Sequence, residues 1–377
     1  MIPQLYGTLS LSNGSYSVYP KGLLTHCSKC EVKEVRNGSY TLNLITNVNE
    51  ECIDDILSQR IIGAKPNPTD PIQYFEIQKT TRSIDGKIKV EAKHVNNLCY
   101  QICSEGDTYP TDTTITYTGT PKEVWDRLVD QYIIDPVPFY FNSAISSQKA
   151  CYLGFNEAVT LGDIMGGREG SFIDMWSGSE YHWDNFHCTL LASRGTNTHY
   201  KLKYWKNISS ADQSESCLST YSHILPYGIA TFGEIRKNFT ADRIAIPNTE
   251  SVMNKTFLLD CTSVLDSYPI TVGNWSTYVA ARNAMMEYAQ NYANVNGIGN
   301  IEVNIKIDFR GTLDEMSQIG LCDKVDIVLD NFGTTVTAKI VEATYDVLLE
   351  RWQKLVVGQP TITMADLLLN KRRFNLR

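Results

Sequence analysis

Long apolar runs are missing from this sequence: nowhere in its 377 residues do side chains approach the about 18 uninterrupted apolar positions a membrane-spanning helix needs. The start, Met1-Ile2-Pro3-Gln4-Leu5, has neither the basic nor the apolar region of a secretory leader, so the expectation is a soluble chain made in a cytoplasm. An excess of positive charge is also absent. Lysine plus arginine number 34 against 42 aspartate plus glutamate, a net charge of −8 that repels a nucleic-acid duplex or an anionic membrane. The usual anchors of catalysis are missing too. There is no H-E-x-x-H and no G-x-S-x-G, and the cluster Gly162, Gly166, Gly167 and Gly170 lacks the lysine of a phosphate loop. Internal repeats and low-complexity tracts do not occur.

What is present describes a folded, β-rich chain. A hydrophobic share of 42% and a charged share of 20% are near globular averages, and 42.5 kDa exceeds what one core serves, so two or three modules are expected. Ten cysteines without a leader read as reduced thiols. Alternation at 32–35 and 40–45 around Asn37-Gly38 predicts a hairpin, as does 75–77 with 88–92 around Asp85-Gly86. Ile53, Ile56, Leu57 and Ile61 predict a short helix over 51–61. At Thr120-Pro121-Lys122-Glu123 a capping box with proline at the first helical position starts a helix and marks a boundary near 118. Ser171-Phe172-Ile173-Asp174 suggests a second, shorter capped turn.

Strands are expected over 181–193 and 200–205, then an exposed polar excursion at 209–219. A helix over 275–293 carries Val279, Met286 and Ala289 or Ala293 on one stripe. The strongest alternation, 301–309, 325–329 and 336–340 with a turn at Asn331-Phe332-Gly333, predicts a three-strand meander. A last helix from Thr363 ends in the basic segment Lys371 to Arg377, which suits either an acidic partner or a solvated helix end.

Three groupings invite chemistry. Cys27 and Cys30 form a C-x-x-C, with Cys99 and Cys103 one hairpin later, a weak zinc signal because the second pair has the wrong spacing. Glu180, His182, Asp184 and His187 lie within eight residues and offer a base and an orienting carboxylate, so His182, Asp184 and His187 are the candidate catalytic set if the protein is a peptidase. On a strand His182 and Asp184 point one way and His187 the other, which argues against convergence. Trp125, Trp176, Trp183, Trp205, Trp275 and Trp352 with 21 tyrosines suit either core and interface filling or a stacking surface for sugars.

Residues 166–195, GGREGSFIDMWSGSEYHWDNFHCTLLASRG, resemble the centre of the prophage tail endopeptidase family of phage tail proteins. Gln73-Tyr74-Phe75-Glu76-Ile77 with Ala92-Lys93-His94 is similar to the end of that family's first barrel, and Cys322-Asp323-Lys324-Val325, Tyr345-Asp346-Val347-Leu348 and Arg351-Trp352 to its closing strands. The likeness spans nearly the whole chain. Gly170, Ser171, Asp174, Glu180, Tyr181, Asp184, Asn185, Arg194 and Gly195 match the family motif as structural residues.

The resemblance implies the fold of contractile-tail hubs and type VI secretion spikes: a β-rich α+β protein with two related antiparallel β-barrels and an intervening mixed α/β domain. The implied division is 1–117 for the first barrel, 118–180 with 231–299 for the intervening domain, 181–230 with 300–358 for the second barrel, and 359–377 for a C-terminal helix. It further implies a homotrimer at the virion tail tip, whose six barrels form a ring between the tail tube ring proteins and a central fibre or spike protein. No cofactor or metal is expected, beyond the weak Cys27 and Cys30 signal. The family name promises an endopeptidase, yet no catalytic template supports one, and a chain ending at Arg377 leaves no room for an appended hydrolase. A tail-associated endopeptidase and a glycan-binding adhesin are the alternatives to a structural hub.

Overall fold

The computed structural model describes residues 1–12, 15–104, 116–133, 136–152, 159–168, 170–203, 206–216, 220–232, 235–247, 253–296, 298–299, 302–309, 319–329 and 334–358. Most strands belong to one 13-stranded sheet that joins the two ends of the chain. Its order runs Ile208–Ser216, Glu302–Phe309, Arg351–Val357, Thr334–Asp346, Lys29–Val35, Tyr40–Asn47, Lys87–His94, Gln73–Arg82, Arg60–Ala64, Gln4–Thr8, Pro20–Leu23. Lys324–Leu329 and Asn197–Lys203 attach beside the first half of Thr334–Asp346. The junction is antiparallel, from Glu342 opposite Val35 to Asp346 opposite Glu31. Among the described residues the strand order is an open path, and no helix is long and apolar enough to cross a membrane.

Strict alternation explains why this sheet forms. In Lys29–Val35, Tyr40–Asn47 and Lys87–His94 every second side chain is buried. Leu42, Phe75, Ile88 and Val90 from one end of the chain share a core with Tyr345, Val347, Trp352 and Leu355 from the other. Each such side chain contributes on the order of 1.5–3 kcal/mol of burial, so neither end completes its core alone.

Two further cores lie between these ends in sequence. In the first, the helix Pro121–Gln131 packs Trp125 flat on Phe141 of Tyr140–Ser143, with ring centroids 4.6 Å apart. The capping box is complete: Thr120 accepts from the Glu123 amide while the Glu123 carboxylate accepts from that of Thr120. The second core lies under His223–Phe232, which pairs parallel with Thr256–Asp260 and antiparallel with Ile235–Thr240. The helix Trp275–Asn296 covers it with Ala281, Met285, Ala289 and Ala293; Ala289 and Ala293 lie on the expected stripe, Met286 packs beside it, and Ala281 takes the place expected for Val279.

Both hairpins form, with Gly86 at φ 78°. Around Asn37-Gly38 only Asn37, at φ 50°, is left-handed. Several expectations are corrected. The segment 51–61 holds a single 3-10 turn, Ile53–Asp55, and Ile61 and Ile62 enter the strand Arg60–Ala64 instead, because pairing opposite Phe75 and Glu76 buries both branched side chains fully. The polar run at 209–219 is no excursion over its described part: Ile208–Ser216 is the edge strand of the large sheet, where one flank needs no apolar cover. The meander is not consecutive, since Glu302–Phe309 pairs with Ile208–Ser216 and Arg351–Val357, while Lys324–Leu329 pairs with Thr334–Asp346. Residues 181–191, expected with 300–358, form a hairpin beside Tyr140–Ser143. The turn at Asn331-Phe332-Gly333 and the segment 359–377 with its basic end lie outside the described residues.

Candidate functional site

Glu180, Asp184, Asn185 and Arg194 meet at a polar seam between the large sheet and the middle core, and one strand builds most of it. Glu180–Asp184 alternates: Tyr181 and Trp183 turn into the middle core, where the Tyr181 hydroxyl donates to the Met165 carbonyl at 2.9 Å. Glu180, His182 and Asp184 turn the other way, towards the N-terminal strands. Pairing with His187–Leu191 around the left-handed Asn185 holds the strand in register.

Glu180 is the centre of the seam, its side chain 2% exposed. Arg36 Nη1 reaches its Oε1 at 2.9 Å, Lys339 Nζ reaches both oxygens at 2.6 and 2.7 Å, and the Arg194 amide donates to Oε2 at 2.6 Å. One carboxylate thereby ties an N-terminal turn, a C-terminal strand and the middle hairpin together. Arg194 in turn places its guanidinium on Glu34 at 2.6 Å. Burial works against the Arg194 charge, but Glu34 outweighs it and holds the guanidinium firmly protonated. Asn37 completes this end, donating to the Ser179 carbonyl and accepting from the Tyr181 amide.

At the other end Gln73, fully buried, uses both faces of its amide. Its Oε1 accepts from the Asn185 amide at 2.7 Å and from His94 Nε2 at 3.1 Å, and its Nε2 donates to Asp184 at 3.0 Å and to the Pro71 carbonyl at 3.3 Å. Because His94 Nδ1 accepts from the Asn96 amide, the ring proton sits on Nε2. That ring lies flat on Tyr40 with centroids 4.4 Å apart, and burial depresses its pKa to about 3. Asn185 also accepts from the Tyr74 amide and donates to the Ile72 carbonyl, completing a cross-seam clasp.

Gly195, Asp174 and Ser171 lie outside the seam's ion pairs. Gly195 sits at φ 77°, and a Cβ there would lie 2.4 Å from the Cys322 carbonyl carbon, so only glycine fits the crossing. Asp174 accepts from the Gly170 amide and from the Tyr288 hydroxyl of the long helix, linking two cores. Ser171 is buried at the N-cap position of Phe172–Met175 but makes no capping hydrogen bond with its side chain, a correction to the capped turn expected there.

His182, Asp184 and His187 receive separate partners. His182 approaches Asp70 at 3.8 Å, Asp184 accepts from Gln73, and the His187 ring stacks on Tyr140. Burial pushes the Asp70 carboxyl up, but His182 and Asn67 outweigh it and hold it below its usual range. Cys30 is buried in the large core and Cys99 in the middle one, while Cys103 is exposed. Burial pushes Cys27 up to about 12 and Cys30 well above the ordinary thiol value, which disfavours the thiolates zinc requires. Among the described residues no three His, Cys, Asp or Glu side chains cluster as metal ligands would.

The sequence reading missed Glu34, Arg36, Asn37, Gln73, His94 and Lys339 as seam residues. Their partners lie from 111 to 160 residues away, except His94 to Gln73 at 21, so no local spacing carries the signal.

No protein-family model matches the chain, and no curated protein matches it by sequence. Solved structures do. A prophage tail protein, gp18 from Listeria monocytogenes EGD-e, shares the fold with a TM-score of 0.57 and 12% identity over 98% of each chain. The tail protein from Neisseria meningitidis MC58 gives 0.55 and 9% over 97% of this chain and 98% of that one. The 43 kDa tail protein of prophage MuSo2 from Shewanella oneidensis gives 0.54 and 12% over 96% and 98%.

Proposed function

We propose that this chain, which has the fold of prophage tail proteins, is a structural tail protein forming a trimeric hub at the tail tip. The observation that carries the reading is the match over 98% of both chains. In this reading the two strand-rich ends are the two barrel-like units of the hub. Three copies surround a channel, with tail tube ring proteins on one side and a central fibre or spike protein on the other. The large sheet supports this role, since it couples both ends through backbone pairing and so suits a part that transmits force. The seam supports it too: its buried ion pairs fix one geometry between sheet and middle core rather than assembling a reactive centre.

The test is stoichiometry and position in the particle. Native mass spectrometry of the assembled tail tip should give multiples of three times the 42.5 kDa chain, and a label on this chain should image at the distal end of the tail. A single copy per virion, or a label spread along the tube, overturns the proposal.

A further inference from the structure

The helical unit at 220–299 presents a surface that its own core does not use. Trp125, Trp176 and Trp352 fill cores, but Trp275 is 72% exposed and Val272, three residues earlier, 71%. Neither is loosely held. Gly273 turns at φ 81°, the Asn274 amide donates to the Thr271 carbonyl, the Ser276 amide donates to Asn274 Oδ1, and the Thr271 amide donates to Thr277 Oγ1. The Trp275 ring stacks on Tyr278 at 4.8 Å, and Tyr278 meets Phe239 edge-on at 5.2 Å. Phe239 is the inward residue of Ile235–Thr240, so alternation puts the exposed Ile235 and Lys237 on the same face of that strand.

That strand is an edge. It pairs with His223–Phe232 on one side, and among the described residues nothing pairs with the other. Arg236 and Lys237 are exposed on it, and no described carboxylate pairs with either. Cations on an edge oppose self-pairing, because a second copy would bring like charges together. They do not explain rigidly held apolar rings beside that edge. A chain of net charge −8 that keeps two unpaired cations beside an apolar pad and a free row of backbone groups has the complement of one kind of ligand.

We infer that the Ile235–Thr240 edge with Trp275 docks an extended acidic segment of another protein, which adds as a further strand. The segment's amides and carbonyls pair with the free edge, its carboxylates meet Arg236 on one face of the strand, and its apolar residues cover Ile235 and Trp275 on the other, where the long Lys237 side chain reaches round to the acidic segment's rim. This stands independently of the tail assignment.

Fluorescence anisotropy with the full chain tests it, using three short labelled peptides: alternating valine and glutamate, the same peptide N-methylated on alternate residues, and alternating valine and lysine. The glutamate peptide should bind and weaken with added salt, and the other two should bind at least about tenfold more weakly. Trp275→Ala, and separately the pair Arg236→Glu with Lys237→Glu, should each lower affinity at least about tenfold with an unchanged thermal melt, because all three side chains are exposed. Equal binding of the lysine or methylated peptide, no binding of the glutamate peptide, or indifference to both variants overturns the inference. So does Trp275-dependent self-association in sedimentation, which would make a second copy the occupant.

Discussion

Glu180 faces two cations and an amide in a site from which water is almost excluded, so its charge matters more than its volume. Glu180→Gln keeps the shape and leaves the partly buried Arg36 and Lys339 opposite a neutral amide. Breaking a buried pair this way costs about 3–5 kcal/mol, whereas Glu91→Gln at the exposed 3.8 Å pair with Lys79 should cost less than about 1 kcal/mol. Urea denaturation of the two variants side by side checks the contrast. His94 gives a pH dependence of known sign. Its pKa is about 3 in the folded chain and near 6.5 unfolded, so the unfolded state binds the extra proton. The stabilisation is complete above about pH 6.5 and drains as pH falls towards 3, by up to about 5 kcal/mol in all. Between pH 6.5 and 4.5 the carboxylates contribute little, so the unfolding midpoint should drop there in the parent chain and drop less in His94→Gln. An identical slope in both would remove His94 as the cause. The partners of the seam were not legible: Asn37 was readable as a turn residue, and its second task on Ser179 and Tyr181 was invisible because it depends on residues 142 and 144 positions away.

At the scale of elements, local chemistry decided what the sequence disclosed. The capping box at Thr120 and the turn at Gly86 were readable because each is complete within a few residues. The failures share a cause: 51–61 has a helical apolar spacing that lost to strand pairing, and Ile208–Ser216 has a loop-like composition that an edge position tolerates. The helix Pro121–Gln131 earns its place through Trp125, 3% exposed and stacked on Phe141. Trp125→Ala should destabilise the middle core by about 3–5 kcal/mol, seen as a lower unfolding midpoint. Amide exchange in His223–Phe232, which belongs to a different core, should stay unchanged.

For the whole molecule, strand-rich ends and a mixed centre were legible from alternation and capping alone. That the ends are one sheet was not, because nothing in Lys29–Val35 says which strand takes its second edge. The sheet makes a prediction about cooperativity. Hydrogen exchange followed by mass spectrometry should place Lys29–Val35 and Thr334–Asp346 in one protection class that opens together, with His223–Phe232 opening separately. Protection of the first strand that survives when the second is labelled would show two independent units.

The same joint governs how the chain is born. The ribosome releases Lys29–Val35 some three hundred residues before the strand that pairs with it from Glu342 to Asp346, so throughout translation the nascent N-terminal half carries a bare flank. Its charged alternate positions, Lys29, Glu31 and Lys33, keep that waiting flank soluble until the partner strand emerges.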